Sequence, residues 1–155
     1  MSIVVHLTDL EALSCRLIGN MKTISSRTQN VKDRQMGKQE AYEIDEDGMI
    51  GEYAFCKHYN IFLDVSLSPR SGSYDCMYKG KRIDIKTTRV TNGRLIATIK
   101  KNPDVDIFVL AILEGNQVTF PGYALASELY DESKLTNLGH GETYAIEQQD
   151  LRQWK

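Results

Sequence analysis

The sequence predicts an α/β fold, with helices leading and a sheet following, and three observations carry that prediction. Leu10, Leu13, Leu17, Ile18 and Met21 recur at helical spacing near the start. Residues 106–113 (DIFVLAIL) are nearly all apolar, as expected for a central strand covered on both faces. Between them, two strand-like segments flank Lys79-Gly80, the signal of a tight hairpin.

A first helix is expected over 9–22, with Thr8 or Asp9 as its N-cap. The stretch from Lys22 to Gln39 is polar and basic and suits a loop or an exposed helix. A second helix is expected over 47–59, with Ile50, Tyr53, Ala54 and Phe55 as its apolar side; a start near Glu40 with a break at Gly48 is the alternative. A strand over 61–66 runs into a turn signal at 68–72 (SPRSG). The hairpin takes 74–78 and 81–88. Strands follow at 95–99, 106–113 and 117–120, the last two paired around Gly115-Asn116, and a helix over 123–131 and a strand over 143–146 close the chain. The expected arrangement is an antiparallel meander with helices against it, one domain over 1–155 with 1–40 as an N-terminal helical extension.

A chain of 155 residues can bury a sizeable core without disulfide or metal staples. No apolar run approaches the roughly 20 residues that cross a bilayer. The start, MSIVVHLTDL, lacks the basic flank and small-residue cleavage site of a signal peptide. No membrane partner and a cytoplasmic location are therefore expected. Three cysteines (Cys15, Cys56, Cys76) at long, unequal spacings predict buried thiols in a reducing compartment rather than a disulfide framework. His6, His58 and His140 are scattered, with no nucleophile or carboxylate at motif spacing, which argues against a histidine–metal site or a serine-type hydrolase.

The net charge of -2 argues against a generic polycation, but the charge is lopsided. From Lys79 to Lys101 the only acid is Asp84, against Lys79, Lys81, Arg82, Lys86, Arg89, Arg94, Lys100 and Lys101. Such a strip suits a localised groove for a polyanion; a solvated hairpin face has the same composition, and charge alone does not choose between them.

Strand alternation puts Asp84 and Lys86 on one face and turns Ile83 and Ile85 into the core. A two-residue turn at Lys79-Gly80 sets Tyr78 opposite Lys81, and counting outward sets Asp75 opposite Asp84. Directly opposed Cβ atoms lie about 4.5–5.5 Å apart, and like charges there are destabilising. A divalent cation removes the conflict, since hard cations take one or two carboxylates together with waters and substrate phosphate. Lys86, two residues on, adds a cation that can hold a water or a scissile phosphate.

Asp75 followed by Asp84-Ile85-Lys86 on the next strand resembles the PD-(D/E)XK nuclease signature, with Tyr74 where that signature has proline. Gly51-Glu52-Tyr53-Ala54 on the preceding helix is similar to the Gly-Glu-x-Ala helix of the same superfamily. The resemblance covers roughly residues 45–130, and Gly122-Tyr123-Ala124 leading into a helix looks like small phage-encoded and restriction-type members, whose setting would be a host cytoplasm. It implies a restriction endonuclease-like core: a mixed central sheet flanked by helices, with an antiparallel hairpin carrying the active site. It implies Mg²⁺ or Mn²⁺ bound by Asp75, Asp84 and the main-chain carbonyl of Ile85. Glu52 would complete or orient that shell, and Lys86 would position the attacking water. The reaction implied is phosphodiester hydrolysis leaving a 5′-phosphate, with DNA as partner. Glu40 and Glu43 are alternatives to Glu52 as the helix acid. Lys81, Arg89, Arg94, Lys100, Lys101 and, from the N-terminal segment, Arg34 are the expected nucleic-acid contacts, with Arg82, Arg27 and Asn30 as further candidates. A homodimer is the favoured assembly, because two sites suit cutting both strands. A DNA endonuclease is the leading reading; the alternatives are an exonuclease or structure-specific resolvase, an enzyme acting on RNA, and a binding module of the same fold without turnover.

Overall fold

A computed structural model describes residues 1–28, 41–65 and 74–155. The elements run β1 (Ile3–His6), α1 (Asp9–Thr28), α2 (Ala41–Tyr59), β2 (Cys76–Tyr78), β3 (Lys81–Thr88), β4 (Leu95–Thr98), β5 (Ile107–Glu114), β6 (Gln117–Leu125), α3 (Ala126–Leu129), β7 (Leu135–Asn137) and β8 (Glu142–Ile146). The protein is mixed α/β. A five-stranded sheet has the order β1-β6-β5-β3-β2, and a three-stranded sheet has the order β4-β8-β7.

The hairpin forms around a turn with φ of 49° at Lys79 and 74° at Gly80, the left-handed pair that matches strand twist. Its register is Tyr78↔Lys81, Met77↔Arg82 and Cys76↔Ile83. On its other side β3 pairs with β5 in parallel, Asp84 beside Phe108 and Lys86 beside Leu110. The large sheet is therefore mixed. The expected meander is corrected here: β4 leaves to pair with β8, so β3 and β5 meet directly and must run the same way.

Each face of the large sheet is covered. On one, Ile83, Ile85, Val109 and Ala111 pack against Met49, Ile50, Ala54 and Phe55 of α2. On the other, Phe108, Leu110, Ile112 and Ala124 pack against Leu95, Ala97, Tyr144 and Ile146 of the small sheet. Double coverage explains why β5 is apolar almost throughout.

Several boundaries differ from expectation. Residues 61–65 are not a strand, and Phe62 is 91 % exposed despite the alternation of Ile61, Leu63 and Val65. β6 extends to Leu125, so the helix expected over 123–131 shrinks to α3. α2 runs through Gly48 without a break. The N-terminal segment, expected as an extension, is built in: β1 pairs with β6 at the sheet edge, and α1 lies along α2. α1 starts on a reciprocal cap, Thr8 Oγ1 accepting from Glu11 N at 3.1 Å and Glu11 Oε1 from Thr8 N at 2.9 Å. Its expected core stripe largely faces away from the protein, Leu10, Leu13, Leu17 and Met21 being 51–73 % exposed.

No described helix is long and apolar enough to cross a membrane. Cys15, Cys56 and Cys76 are buried free thiols.

Candidate active site

β2 is short, and where it stops β3 continues alone on that side. Asp75 sits at the fork. Its own N–H donates to the Ile83 carbonyl at 2.8 Å, and its Oδ2 accepts the Ile85 N–H at 2.7 Å. The carboxylate thus occupies the place that the next backbone carbonyl of β2 would take. A strand residue's N–H and C=O leave on the same side, so the Ile85 carbonyl is directed toward this fork as well.

Asp84 and Lys86 project from the sheet face that carries Phe108. Lys86 Nζ is 2.9 Å from Asp84 Oδ2 and 5.8 Å from the Phe108 ring centre. The Asp84 side chain is 13 % exposed and that of Lys86 39 %, so the pair opens to solvent through the lysine. Glu52 comes from α2, on the other face, and reaches the fork because α2 lies very close to β3. A Cβ on Gly51 would stand 2.0 Å from Thr87 Oγ1, so only a glycine lets the helix approach this far.

The electrostatics show that these groups feel one another. Burial pushes the Glu52 carboxyl up to about 7; Lys22 opposes the shift, Asp84 and Asp64 add to it, and a hydrogen bond with Asp75 opposes it. Asp75 is driven well above the usual carboxylate range by burial, then by Glu52 and by Asp84, against the Ile85 N–H and Lys86. Burial works against the Lys86 ammonium, yet Asp84 and Asp75 hold its pKa above the ordinary value. Glu52 of α2, Asp75 just before β2, and Asp84 and Lys86 of β3 thus act on one another electrostatically.

The donor set is all oxygen and suits a hard cation, which needs only one or two carboxylates beside water and phosphate. Among the described residues, no three acids, cysteines or histidines already converge as an ion cage. Asp84 is turned onto Lys86 and Asp75 onto the Ile85 N–H. Two concavities, one lined by Glu128, Asp131, Lys134 and Arg152 and the other by Lys81, Asp106 and Ala126, include none of the four side chains.

The expected nucleic-acid contacts divide. Lys101 stands 5.9 Å and 5.8 Å from the ring centres of Tyr130 and Tyr144. Tyr130 packs on Phe108 at 5.4 Å, so an aromatic row joins Lys101 to Lys86. Lys100 is exposed beside it. Arg89 is not a free cation: it forks onto the buried Asp47 at 2.7 and 2.9 Å and reaches Glu43 at 3.4 Å. Arg94 pairs with Glu147 at 2.7 Å. Lys81 is exposed on the Ile83 face, opposite Asp84. Arg82 grips Asp106 at 3.0 and 3.1 Å. Arg27 lies 4.8 Å from the Tyr42 ring centre. Arg34, Asn30 and Glu40 lie outside the described residues. Glu43, the other alternative to Glu52, is engaged by Arg89.

Two neighbours of the site escaped the sequence reading. Lys22 of α1 is 4.0 Å from Glu52 Oε2, and Asp64 acts on Glu52 from the segment after α2. Neither carries a local signal; both arrive by packing. Comparison of the chain with protein-family profiles, curated protein sequences and solved structures returns no match to any of them.

Proposed function

We propose that this chain is a divalent-metal-dependent nuclease of the PD-(D/E)XK type, hydrolysing phosphodiester bonds and acting on DNA as an endonuclease. What supports the reading above all is the crowding of Glu52, Asp75 and Asp84 at one fork, with Lys86 Nζ 2.9 Å from Asp84. Burial first, and then the neighbouring carboxylates, raise the pKa of Glu52 and Asp75, and carboxylates so placed cost stability unless an ion or proton is shared. Mg²⁺ or Mn²⁺, when bound, would polarise a phosphate oxygen and make a bound water more acidic.

Asp75 and Asp84 would hold the ion, with the Ile85 carbonyl beside them and Glu52 orienting the shell. Lys86 stays protonated at neutral pH and would donate to the attacking water or to a non-bridging phosphate oxygen. In the reaction the water oxygen bonds to phosphorus and the bond from phosphorus to O3′ breaks. O3′ takes up a proton, which leaves a 5′-phosphate and a 3′-hydroxyl. Lys100 and Lys101, at the end of the aromatic row, would contact the backbone further along.

The test incubates the protein with supercoiled plasmid, linear duplex, branched DNA and RNA. Each is run with Mg²⁺, Mn²⁺ or chelator, beside Asp84→Ala. The reading expects metal-dependent cleavage of DNA that disappears in the variant while its circular dichroism is unchanged. Equal activity in both proteins rejects the site, and binding to every substrate without cleavage favours a module that holds nucleic acid without turning it over.

A further inference from the structure

α1 is amphipathic the wrong way round. The side packed on the protein carries small residues, Ala12, Cys15, Gly19 and Thr23, all buried. A Cβ on Gly19 would stand 2.7 Å from the Asp45 carbonyl oxygen of α2, so the two helices touch backbone to backbone there. The large apolar side chains point outward: Leu10 is 73 % exposed, Leu13 53 %, Leu17 55 %, Met21 51 % and Ile24 53 %. A helix about 30 Å long with such a face is an interaction surface rather than a solvated one.

The spacing of that face identifies its occupant. Steps of three, four, four and three residues average 3.5, the period of a left-handed helix pair. The order reads the same in both directions about Leu17. Laid antiparallel on a two-fold axis, Leu17 meets Leu17 of the other copy, Leu13 meets Met21, and Leu10 meets Ile24, so every member finds a partner. The same arrangement opposes the two helix dipoles.

Other covers fit less well. Residues 29–40 hold only Val31 and Met36 as apolar side chains, and residues 66–73 only Leu67. A helix lying on a lipid surface carries lysine and arginine along its flanks. Here Arg16 is committed to Glu46 at 3.4 Å, Lys22 to Glu52 at 4.0 Å, and Arg27 lies 4.8 Å from the Tyr42 ring centre.

We infer that the exposed Leu10–Leu13–Leu17–Met21–Ile24 face of α1 docks antiparallel on the same face of a second copy of this chain. The face is narrow beside a standard interface of about 800 Å² per partner, so association in the micromolar range is expected. This inference is independent of the acidic site, because its readouts are mass and cross-linking rather than cleavage.

The experiment measures mass by light scattering from roughly 1 to 100 μM, a span chosen to bracket micromolar affinity. Two copies are expected at the upper end, and one copy for Leu17→Glu with its circular dichroism and melting retained. Orientation is read from single cysteines oxidised with oxidised glutathione; the three native thiols are buried. Leu17→Cys should cross-link to itself. Leu10→Cys should not, but should cross-link when mixed with Ile24→Cys. A single copy throughout that range overturns the inference, as does self-cross-linking of Leu10→Cys, which marks a parallel pair. Retention of the two-copy mass in Leu17→Glu, or a monomer that sediments with anionic vesicles, overturns it too.

Discussion

Asp75 Oδ2 accepts the Ile85 N–H at 2.7 Å, so one carboxylate both finishes the edge of the sheet and crowds Asp84. These two roles separate by substitution. Asp75→Asn keeps an oxygen acceptor and removes the charge; without metal at neutral pH it should stabilise the protein by about 1 kcal/mol. Asp75→Ala strands the Ile85 N–H and should cost about 1–3 kcal/mol. Urea unfolding in chelator checks both, and an asparagine variant as unstable as the alanine one would show that the crowding costs nothing.

Glu52 sets a pH dependence whose sign follows from its shift. Its carboxyl stands near 7 when folded against 4.5 as the reference. Between those values the folded state holds a proton that the unfolded chain has released. Stability therefore falls as pH rises through this window and levels off above 7, by an amount on the order of 3 kcal/mol. Glu52→Gln should flatten that slope. Mn²⁺ should raise the melting midpoint, and more at pH 8 than at pH 5, because proton and metal compete for the same oxygens. Melting curves across pH with Mn²⁺ or chelator measure each effect.

Gly51 and Thr87 hold the helix acid at its depth. Gly51→Ala should lower stability by about 1–3 kcal/mol, since its Cβ would overlap Thr87 Oγ1. Thr87→Ala removes that oxygen and should restore much of the loss in the double variant, a coupling that a double-mutant cycle reads directly. Strict additivity would mean that the two do not meet.

The chain folds Arg89 into the helix–strand contact and leaves Lys101 in the open. Arg89→Ala deprives the buried Asp47 of its forked partner and should cost about 1–3 kcal/mol, with the salt dependence of DNA binding unchanged. Lys101→Ala should leave stability within about 0.5 kcal/mol and lower the salt slope by about one. A competition assay at several salt concentrations, beside unfolding curves, separates the two.

What the sequence made legible was local. Lys79-Gly80 specified the hairpin and its register, and alternation along β3 placed Asp84 and Lys86 on one face with Ile83 and Ile85 on the other. Long-range choices left no such mark. β4 has the same alternating character whether it pairs with β5 or with β8, so the parallel contact of β3 with β5 was hidden. β1 spans only Ile3–His6, too short for a period to declare itself, and its partner β6 lies more than a hundred residues away. The stripe on α1 gave the helix but not its orientation, because an apolar face toward a core and one toward the outside share one pattern. The partners of the basic strip were hidden for a related reason: Asp47, which holds Arg89, and Glu147, which holds Arg94, come from distant segments.

The role of the fork in phosphodiester cleavage is read from plasmid cleavage in Mn²⁺ by the parent protein and by Asp84→Asn, a change that removes one charge there and almost no volume. Nicking by the parent is expected, with a rate at least about a hundredfold lower in the variant and an unchanged far-ultraviolet spectrum. Cleavage at equal rates in the two proteins, or at the parent's full rate in chelator, would contradict that role.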